Sequence, residues 1–358
     1  MKKSVRGLAL LSTAALALGL GISGSANAAP VKAGEPQILA KDLAGPLSTA
    51  VAQDGTAYVT ANFGGRIYRI APDGSQSVAY KKKGYEVGGV SVDGGRLVFT
   101  LTGAKQLVKR MVAGGKARTI ANVGAYERNK NPDKKVTYGF KGITNACLAK
   151  LPEGFRGKYT GIVESHPYAT DIVGDDVYLA DAGGNDILRI AADGSIKKVA
   201  VLPPTKVKVT RAAINALGLP ECVRGLSYKF EAVPTDVEMG PDGWLYVSSL
   251  PGGPEDGSLG AQGRVYKVNP ANGKVVLVAG GFISTVNVAV ADDGDVYVSQ
   301  LFAGSIVRIP AGTDKIKAFA DVPLPGGLEW TADGLYATID ALKGNKAPKG
   351  KLAFIPFS

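Results

Sequence analysis

The sequence predicts an all-β protein, a six-bladed β-propeller, and three observations support this prediction. One phrase returns six times: a short apolar run, an Asp-Gly pair and a Tyr-Val-like strand, followed by an Ile/Val-Arg-Ile-like strand. The Asp-Gly pair suits the positive-φ positions of tight hairpin turns. The repeat covers about 40–50 residues and holds four short strands, which is typical of a propeller blade. The 48 glycines among 358 residues agree with short strands and tight turns.

The six repeats follow one another along most of the chain. The last repeat is one strand short, because only Lys351–Pro356 follows Ala341. Gln37–Leu43, ahead of the first repeat, has the character of an outer strand. We expect it to complete blade six, which would join the two ends of the domain and remove an exposed sheet edge. The repeats span Ser48–Gly74, Gly88–Leu101, Thr170–Gly194, Thr235–Pro270, Val286–Ile309 and Gly327–Ile339.

Residues 1–28 have the pattern of a secretory signal peptide. Basic residues precede an apolar core from Leu8 to Leu20, and Ala26-Asn27-Ala28 supplies small residues for cleavage. That core is too short for a membrane span, and no second long apolar stretch follows it in the sequence. We therefore expect a secreted protein whose residues 29–358 form a single propeller domain.

Three segments do not fit the repeat and are predicted insertions: residues 127–165, 203–232 and 251–262. The strands of a blade run antiparallel from the axis outward, so successive connections alternate between the two faces of the propeller. By this alternation nearly all of the Asp-Gly turns lie on one face and all three insertions lie on the other. Elaborated loops on a rigid scaffold are where binding usually occurs.

Cys147 and Cys222 lie one in each of the two longer insertions. Two cysteines in an exported chain favour a disulfide, which would hold these insertions together. Free thiols are the alternative, and they are less compatible with an oxidising compartment. We also expect two short helices in the insertions, Arg211–Leu217 capped by Thr210 and Ala146–Lys150 capped by Asn145.

The formal net charge is +11, and both long insertions carry an excess of basic residues. This excess predicts an anionic partner on the insertion face: a glycan, a wall polymer or a small carboxylated metabolite. The alternative is a solvated surface without a partner. No nucleic-acid-binding module is recognisable, and we expect a monomer. The candidate ligand-binding residues are Lys134, Lys135, Lys141, Arg156, Arg211 and Arg224.

Polar residues at matching positions of the innermost strands predict a cluster on the propeller axis. Asp171, Asp236 and Asn287 form one set, and Glu238 and Glu329 stand two residues further along, on the same side of their strands. An all-oxygen set suits Ca²⁺ or Mg²⁺ and is unsuited to zinc or copper. The alternative is structural, because such side chains also hydrogen-bond a neighbouring blade or channel water. No other cofactor is expected.

His166 is the sole histidine, and its place shortly before Asp171 predicts a position at the mouth of the channel. It is a candidate catalytic acid or base, because the imidazole pKa lies near neutrality. The alternative is a hydrogen-bonded residue on the rim. A Ser-His-Asp hydrolase is not expected, because the sequence has no Gly-x-Ser-x-Gly elbow.

Several segments carry a resemblance to a known family. Asp181–Ile190 and Asp193-Gly194 are similar to an NHL-type blade. With the signal peptide and the cysteine-bearing insertions, Glu164–Tyr168, Pro234–Asp236 and Pro251–Asp256 resemble the ScyD/ScyE family of exported bacterial proteins over essentially the whole mature chain. The resemblance implies a six-bladed NHL/gluconolactonase-like propeller and no settled activity.

The sequence departs from two wider groups of relatives, the metal-dependent lactonases and the streptogramin lyases. Leu47-Ser48-Thr49 stands where the lactonases carry an early Glu-Gly-Pro, and the sole histidine lies in blade three rather than late in the chain. Two functions follow as hypotheses. The favoured one is a secreted module that binds an anionic glycan, wall polymer or small metabolite on its basic, disulfide-braced face. The alternative is a lactonase-like hydrolase with a divalent ion at the axis.

Overall fold

The structure is a computed structural model that describes residues 31–253, 259–343 and 348–358. Residues Lys32–Ser358 form one compact unit. The predicted signal peptide, residues 1–28, and the middle of the predicted insertion 251–262 lie outside the described residues. Within the described ranges, no helix is both long enough and apolar enough to cross a membrane.

The described residues form seven four-stranded antiparallel sheets, and six of these are the blades of a β-propeller. Strand β1 (Gln37–Leu43) precedes blade one, which holds β2 (Thr49–Val51), β3 (Ala57–Ala61), β4 (Arg66–Ile70) and β5 (Gln76–Lys81). Blade two holds β6 (Val90–Asp93), β7 (Arg96–Thr102), β8 (Gln106–Val112) and β9 (Arg118–Asn122). The first insertion follows with α1 (Val123–Lys130), β10 (Thr137–Phe140), α2 (Asn145–Leu148) and β11 (Lys158–Thr160).

Blade three and the second insertion come next in the chain. Blade three holds β12 (Pro167–Val173), β13 (Asp176–Asp181), β14 (Asp186–Ile190) and β15 (Ile196–Val201). The second insertion holds β16 (Thr205–Lys208), α3 (Arg211–Leu217) and β17 (Ser227–Phe230). Blades four and five hold β18 (Pro234–Met239), β19 (Leu245–Ser249), β20 (Gly263–Val268), β21 (Val275–Phe282), β22 (Thr285–Val290), β23 (Val296–Gln300), β24 (Ser305–Ile309) and β25 (Lys317–Asp321). Blade six begins with β26 (Leu328–Thr331), β27 (Gly334–Ile339) and β28 (Gly350–Pro356).

The ring closes as the sequence predicts. β1 pairs antiparallel with β28, from Gln37 opposite Phe354 to Leu43 opposite Gly350, and so forms the outer strand of blade six. Leu43 is completely buried there. The closure covers the edge of β28 and ties the start of the domain to its end.

Apolar side chains fill the spaces between neighbouring blades. Between blades three and four, for example, Ile187, Leu202, Val237 and Val247 are fully buried in one cluster. The side chains of a strand alternate between its two faces, so each blade packs against the blade before it and the blade after it. This packing holds the innermost strands of the six blades rigidly around the axis.

The two long insertions fold together, and the sequence predicts only part of what they form. The disulfide Cys147–Cys222 is confirmed, and so is helix α3 with its Thr210 cap. Helix α2 begins one residue earlier than expected: Thr144 is the cap, because its hydroxyl accepts a hydrogen bond from the backbone N–H of Cys147 at 3.2 Å. Its last helical residue is Leu148 rather than Lys150.

The main unexpected feature is a seventh sheet made from both insertions, in the order β11-β10-β17-β16. Its strands have three or four residues each, and β10 pairs with a strand far away in the sequence. Phe140 and Tyr228 pack edge to face at 4.9 Å in its small core. Such short strands gain their stability from a distant partner, and so leave little periodic signal in the sequence.

Candidate functional site

Two cavities lie along the propeller axis, and the described residues that line one are all different from those that line the other. The first has a volume of about 640 Å³ and is lined by connections that belong to the insertion face. The second, of about 230 Å³, is lined by the innermost strands of all six blades. His166 lines the first cavity, and the predicted axial residues line the second. The structure therefore separates the candidate acid/base from the candidate metal ligands.

The axial residues converge as the sequence predicts, and their oxygens tie each blade to the next. In five of the six contacts between neighbouring blades, a side-chain oxygen accepts a hydrogen bond from a backbone N–H of the following innermost strand. The sixth contact, between blades two and three, joins the hydroxyls of Ser91 and Thr170 at 2.9 Å. In these hydrogen bonds, the backbone N–H of Val90 donates to Ser48 at 3.3 Å, that of Met239 to Asp171 at 2.8 Å, that of Val288 to Asp236 at 3.0 Å, that of Val290 to Glu238 at 2.8 Å, that of Leu328 to Asn287 at 2.7 Å, and that of Val51 to Glu329.

The four axial carboxyl groups resist ionisation. Burial is the largest cause that raises the pKa of Asp236, to about 7, and that of Glu329, to about 8. Burial also raises the pKa of Asp171. It raises the pKa of Glu238 well above its usual range, and the negative charge of Glu329 raises that pKa further. Part of this set therefore holds protons and is neutral near pH 7.

A divalent ion at the axis does not fit this arrangement well. Each axial acid already commits an oxygen to a backbone N–H of the next blade. Across the described ranges, no three Asp, Glu, His or Cys side chains are grouped closely enough to hold a metal ion. The structure favours the alternative role for these residues, in which they hydrogen-bond the neighbouring blade.

The larger cavity has the composition of a small-molecule site. Its walls are mainly apolar, and its volume lies within the range of about 300–1,000 Å³ that is usual for ligand pockets. Four large apolar side chains on its lining are well exposed, which is uncommon for a surface without a ligand or partner. They are Phe63 (71%), Phe302 (48%), Ile283 (45%) and Leu342 (39%).

An ion pair between His166 and Glu86 faces this apolar cavity. His166 Nε2 lies 3.2 Å from Glu86 Oε1, and the same oxygen accepts a hydrogen bond from the side-chain amide of buried Asn62 at 3.0 Å. The backbone N–H of His166 donates to Asp181 Oδ1 at 2.6 Å, which fixes the histidine over the cavity.

The environment of His166 favours its charged form. Burial alone would lower the pKa of His166, but its hydrogen bond to Glu86 and the negative charges of Glu86, Asp181 and Glu164 outweigh it and raise that pKa. The sequence predicts the histidine at the channel mouth but does not identify Glu86, because Glu86 belongs to a connection between blades one and two and meets His166 only in the folded ring.

The six predicted basic residues are all exposed on the two insertions. Arg211 and Arg224 both pair with Glu221, at 3.0 and 2.9 Å, so their charges are partly neutralised. The guanidinium of Arg156 lies over the ring of Tyr159, 5.6 Å from its centroid. Lys134, Lys135 and Lys141 are exposed as well.

Comparisons with known proteins define the class of fold. No family model matches the sequence, and no curated protein matches it either. Several solved structures are similar over nearly the whole chain, at 14–15% identity. Likeness at this level shows the fold alone, which is a β-propeller of the kind found in sugar dehydrogenases and gluconolactonases, and it leaves the ScyD/ScyE resemblance a prediction.

Three of these structures illustrate the likeness. The PQQ-bound aldose sugar dehydrogenase of Streptomyces coelicolor has a TM-score of 0.57, covering 92% of this chain and 98% of that one. A putative glucose dehydrogenase from Thermus thermophilus has a TM-score of 0.56, covering 90% and 99%. A gluconolactonase from Xanthomonas campestris has a TM-score of 0.55, covering 93% and 99%.

Proposed function

We propose that the protein is an exported small-molecule-binding β-propeller that holds its ligand in the larger axial cavity. The observation that supports this is an apolar cavity of about 640 Å³ on whose wall the described residues place one ion pair, His166–Glu86. A ligand with an aromatic or aliphatic body and one polar group matches that lining. The apolar walls would bury the body, and the ion pair would orient the polar group.

The exposed apolar rim supports the same function. A ligand seated in the cavity covers Phe63 and Phe302 from water, and each square ångström of apolar surface buried contributes roughly 25 cal/mol. Glu86 is fixed by Asn62, so the polar contact is already oriented before the ligand arrives. A preorganised site costs less ordering entropy on binding.

The test uses the anionic apolar fluorophore 1-anilinonaphthalene-8-sulfonate as the probe. In Gln262→Trp an indole replaces a half-buried side chain on the cavity lining. The matched control is Val112→Trp, at an exposed strand end outside the cavity lining. We expect saturable binding to the wild-type protein, an affinity at least about tenfold weaker in Gln262→Trp, and an unchanged affinity in Val112→Trp. Equal loss in both variants, or no saturable binding to wild type, would refute the proposal.

Capture of an anionic glycan or wall polymer on the insertion face is a second candidate, supported by the exposed Lys134, Lys135 and Lys141. The pairing of two arginines with Glu221 makes it the weaker one. Polygalacturonate binding that falls steeply with salt, and is lost in Lys134→Glu/Lys135→Glu, would support it. Binding that these changes leave intact would argue against it.

Catalysis is the third possibility, and the His166–Glu86 pair in a ligand-sized cavity is the observation that favours it. A positioned general acid or base typically contributes 10²–10⁴-fold to a rate. A lactone screen in which His166→Gln lowers turnover by roughly 100-fold would therefore indicate a hydrolase that uses this pair. Turnover that the variant leaves unchanged would exclude this role for His166.

A further inference from the structure

A groove in blade one adjoins the larger axial cavity, and its charged lining is mainly basic. The groove has a volume of about 680 Å³ and shares Phe63 and Glu86 with the cavity, so the two spaces meet at these side chains. None of the six basic residues that the sequence predicts as ligand-binding lies on its described lining. We call it the basic groove, and the rest of its lining consists of Gly64, Arg66, Lys81, Lys83, Gly84 and Tyr85.

Among the described residues, three cations line the basic groove, and two of them stand directly opposite each other on paired strands. Arg66 at the start of β4 is opposite Lys81 at the end of β5, and Lys83 follows two residues later. Like charges directly opposite each other destabilise a sheet. Within the described ranges, no ion pair involves any of the three. An anion bound between Arg66 and Lys81 would offset their repulsion.

The guanidinium of Arg66 lacks an acceptor for one of its donors. Arg66 is half-buried, and its Nε is buried without a hydrogen-bond partner among the described residues. Buried polar atoms are almost always hydrogen-bonded, so this N–H needs an acceptor from outside the described part of the chain. A guanidinium donates two parallel N–H bonds to a carboxylate or a phosphate, which makes an oxyanion the fitting acceptor.

Backbone contacts hold the walls of the basic groove in place. The N–H of Lys82 donates to the carbonyl of Gly65 at 2.8 Å, and the N–H of Val87 donates to the carbonyl of Asn62 at 3.0 Å. Gly65 has a φ of 61°, and a Cβ atom on it would collide with the carbonyl oxygens of Lys82 and Tyr85. The β3–β4 turn and the β5–β6 connection are therefore in close contact. A groove whose backbone is already fixed loses little ordering entropy when a ligand binds.

Glu86 is an acid on the same lining, and its charge is already in use. Its Oε1 accepts a hydrogen bond from the side-chain amide of Asn62 at 3.0 Å and lies 3.2 Å from His166 Nε2. His166 lines the larger cavity and is absent from the described lining of the groove. The three cations thus give the groove an excess of positive charge directly beside an apolar cavity.

We propose that the basic groove is the anion subsite of the larger cavity, so that the ligand is an amphipathic organic anion. Its aromatic or aliphatic body lies in the cavity, and its oxyanion group, a carboxylate, phosphate or sulfonate, lies between Arg66 and Lys81. Phe63, which is 71% exposed, lies where the two spaces meet and gives the body apolar surface up to the groove. This inference rests on the proposed function, because the cavity has to hold the body.

The test compares two fluorophores with the same aromatic rings: anionic 1-anilinonaphthalene-8-sulfonate and neutral N-phenyl-1-naphthylamine, which lacks the sulfonate. Arg66→Gln/Lys81→Gln should weaken binding of the anionic fluorophore by about tenfold, because it removes charged hydrogen-bond donors. Binding of the neutral fluorophore should be unchanged, which also shows that the variant is folded with its cavity intact. The matched control, Lys116→Gln/Arg118→Gln, removes the same two charges from exposed positions of blade two, outside both linings, and should leave both affinities unchanged.

Salt provides a second readout. The affinity of the wild type for the anionic fluorophore should fall as NaCl is raised, and less steeply in Arg66→Gln/Lys81→Gln, because salt screens exposed charges. The same salt dependence in both proteins would overturn the inference.

Three further results would overturn it: an unchanged affinity of Arg66→Gln/Lys81→Gln for the anionic fluorophore, an equal loss for both fluorophores, or an equal loss in the control variant. The proposed function has its own outcome. If the neutral fluorophore binds saturably and Gln262→Trp weakens it, while Arg66→Gln/Lys81→Gln has no effect on either probe, the cavity is a binding site and the groove is not its anion subsite. If neither fluorophore binds saturably, both proposals are refuted.

Discussion

The hydrogen-bonded role of the axial acids can be tested at Asp236 with two substitutions. Asp236 is 5% exposed, and its Oδ2 accepts the backbone N–H of Val288 at 3.0 Å. Asp236→Ala removes the acceptor and leaves that N–H buried and unpaired, which should cost about 1–3 kcal/mol of folding stability. Asp236→Asn keeps an acceptor oxygen and removes only the capacity to ionise.

The two variants should also differ in pH dependence. The pKa of Asp236 in the folded protein, about 7, lies above its ordinary value of 3.8, mainly because of burial, so the folded state binds a proton that the unfolded chain releases. That contribution to stability is complete below pH 3.8 and is lost as the pH rises through about 7. Between pH 5 and pH 8 the wild type should lose roughly 2 kcal/mol through this group.

Urea unfolding followed by circular dichroism at pH 5 and pH 8 measures both effects. We expect Asp236→Ala to be less stable than wild type at both pH values. Asp236→Asn should be close to wild type at pH 5 and more stable than wild type at pH 8. The reasoning is refuted if Asp236→Asn is destabilised as much as Asp236→Ala, or if its stability relative to wild type does not change with pH.

Three further predictions concern the insertions, the cavity and the ring closure. Cys147→Ser/Cys222→Ser should lower the free energy of unfolding by about 4 kcal/mol in the chain-entropy model, because the disulfide closes a segment of 75 residues. The same midpoint of urea unfolding in this double variant and in the wild type would contradict the prediction. Glu86→Gln should lower the pKa of His166, measured by NMR titration, and an unchanged pKa would show that Glu86 does not set it. Leu43→Ala, which empties a completely buried site in β1, should cost about 2–5 kcal/mol in urea unfolding, and a smaller cost would mean that β1 adds little to blade six.

The sequence predicted the propeller because its signals are local. Asp-Gly turns and alternating strands act within one blade, and the missing outer strand of the last repeat places Gln37–Leu43 in blade six. The axial convergence was also predictable, since each strand places its side chains with a period of two residues. The disulfide followed from two cysteines in a chain expected to be exported.

What the sequence did not predict depends on segments that meet across the ring. The seventh sheet pairs β10 with β17, and each strand is too short to have a pattern of its own. Glu86 meets His166 across a gap of 80 residues, and Asp133 meets Asn185 across 52.

The sequence by itself therefore determined the blades, their order and the residues that face the axis, because these follow from turn chemistry and strand alternation. Only the tertiary structure decided what those residues do. It showed that the oxygens of Asp171 and Asp236 accept hydrogen bonds from the backbone of the next blade. The oxygens of Asp186, which is not one of the axial residues, have no hydrogen-bond partner among the described residues. The physical reason is that a carboxylate's role depends on which donors and charges surround it once water is removed, and folding alone brings those groups together.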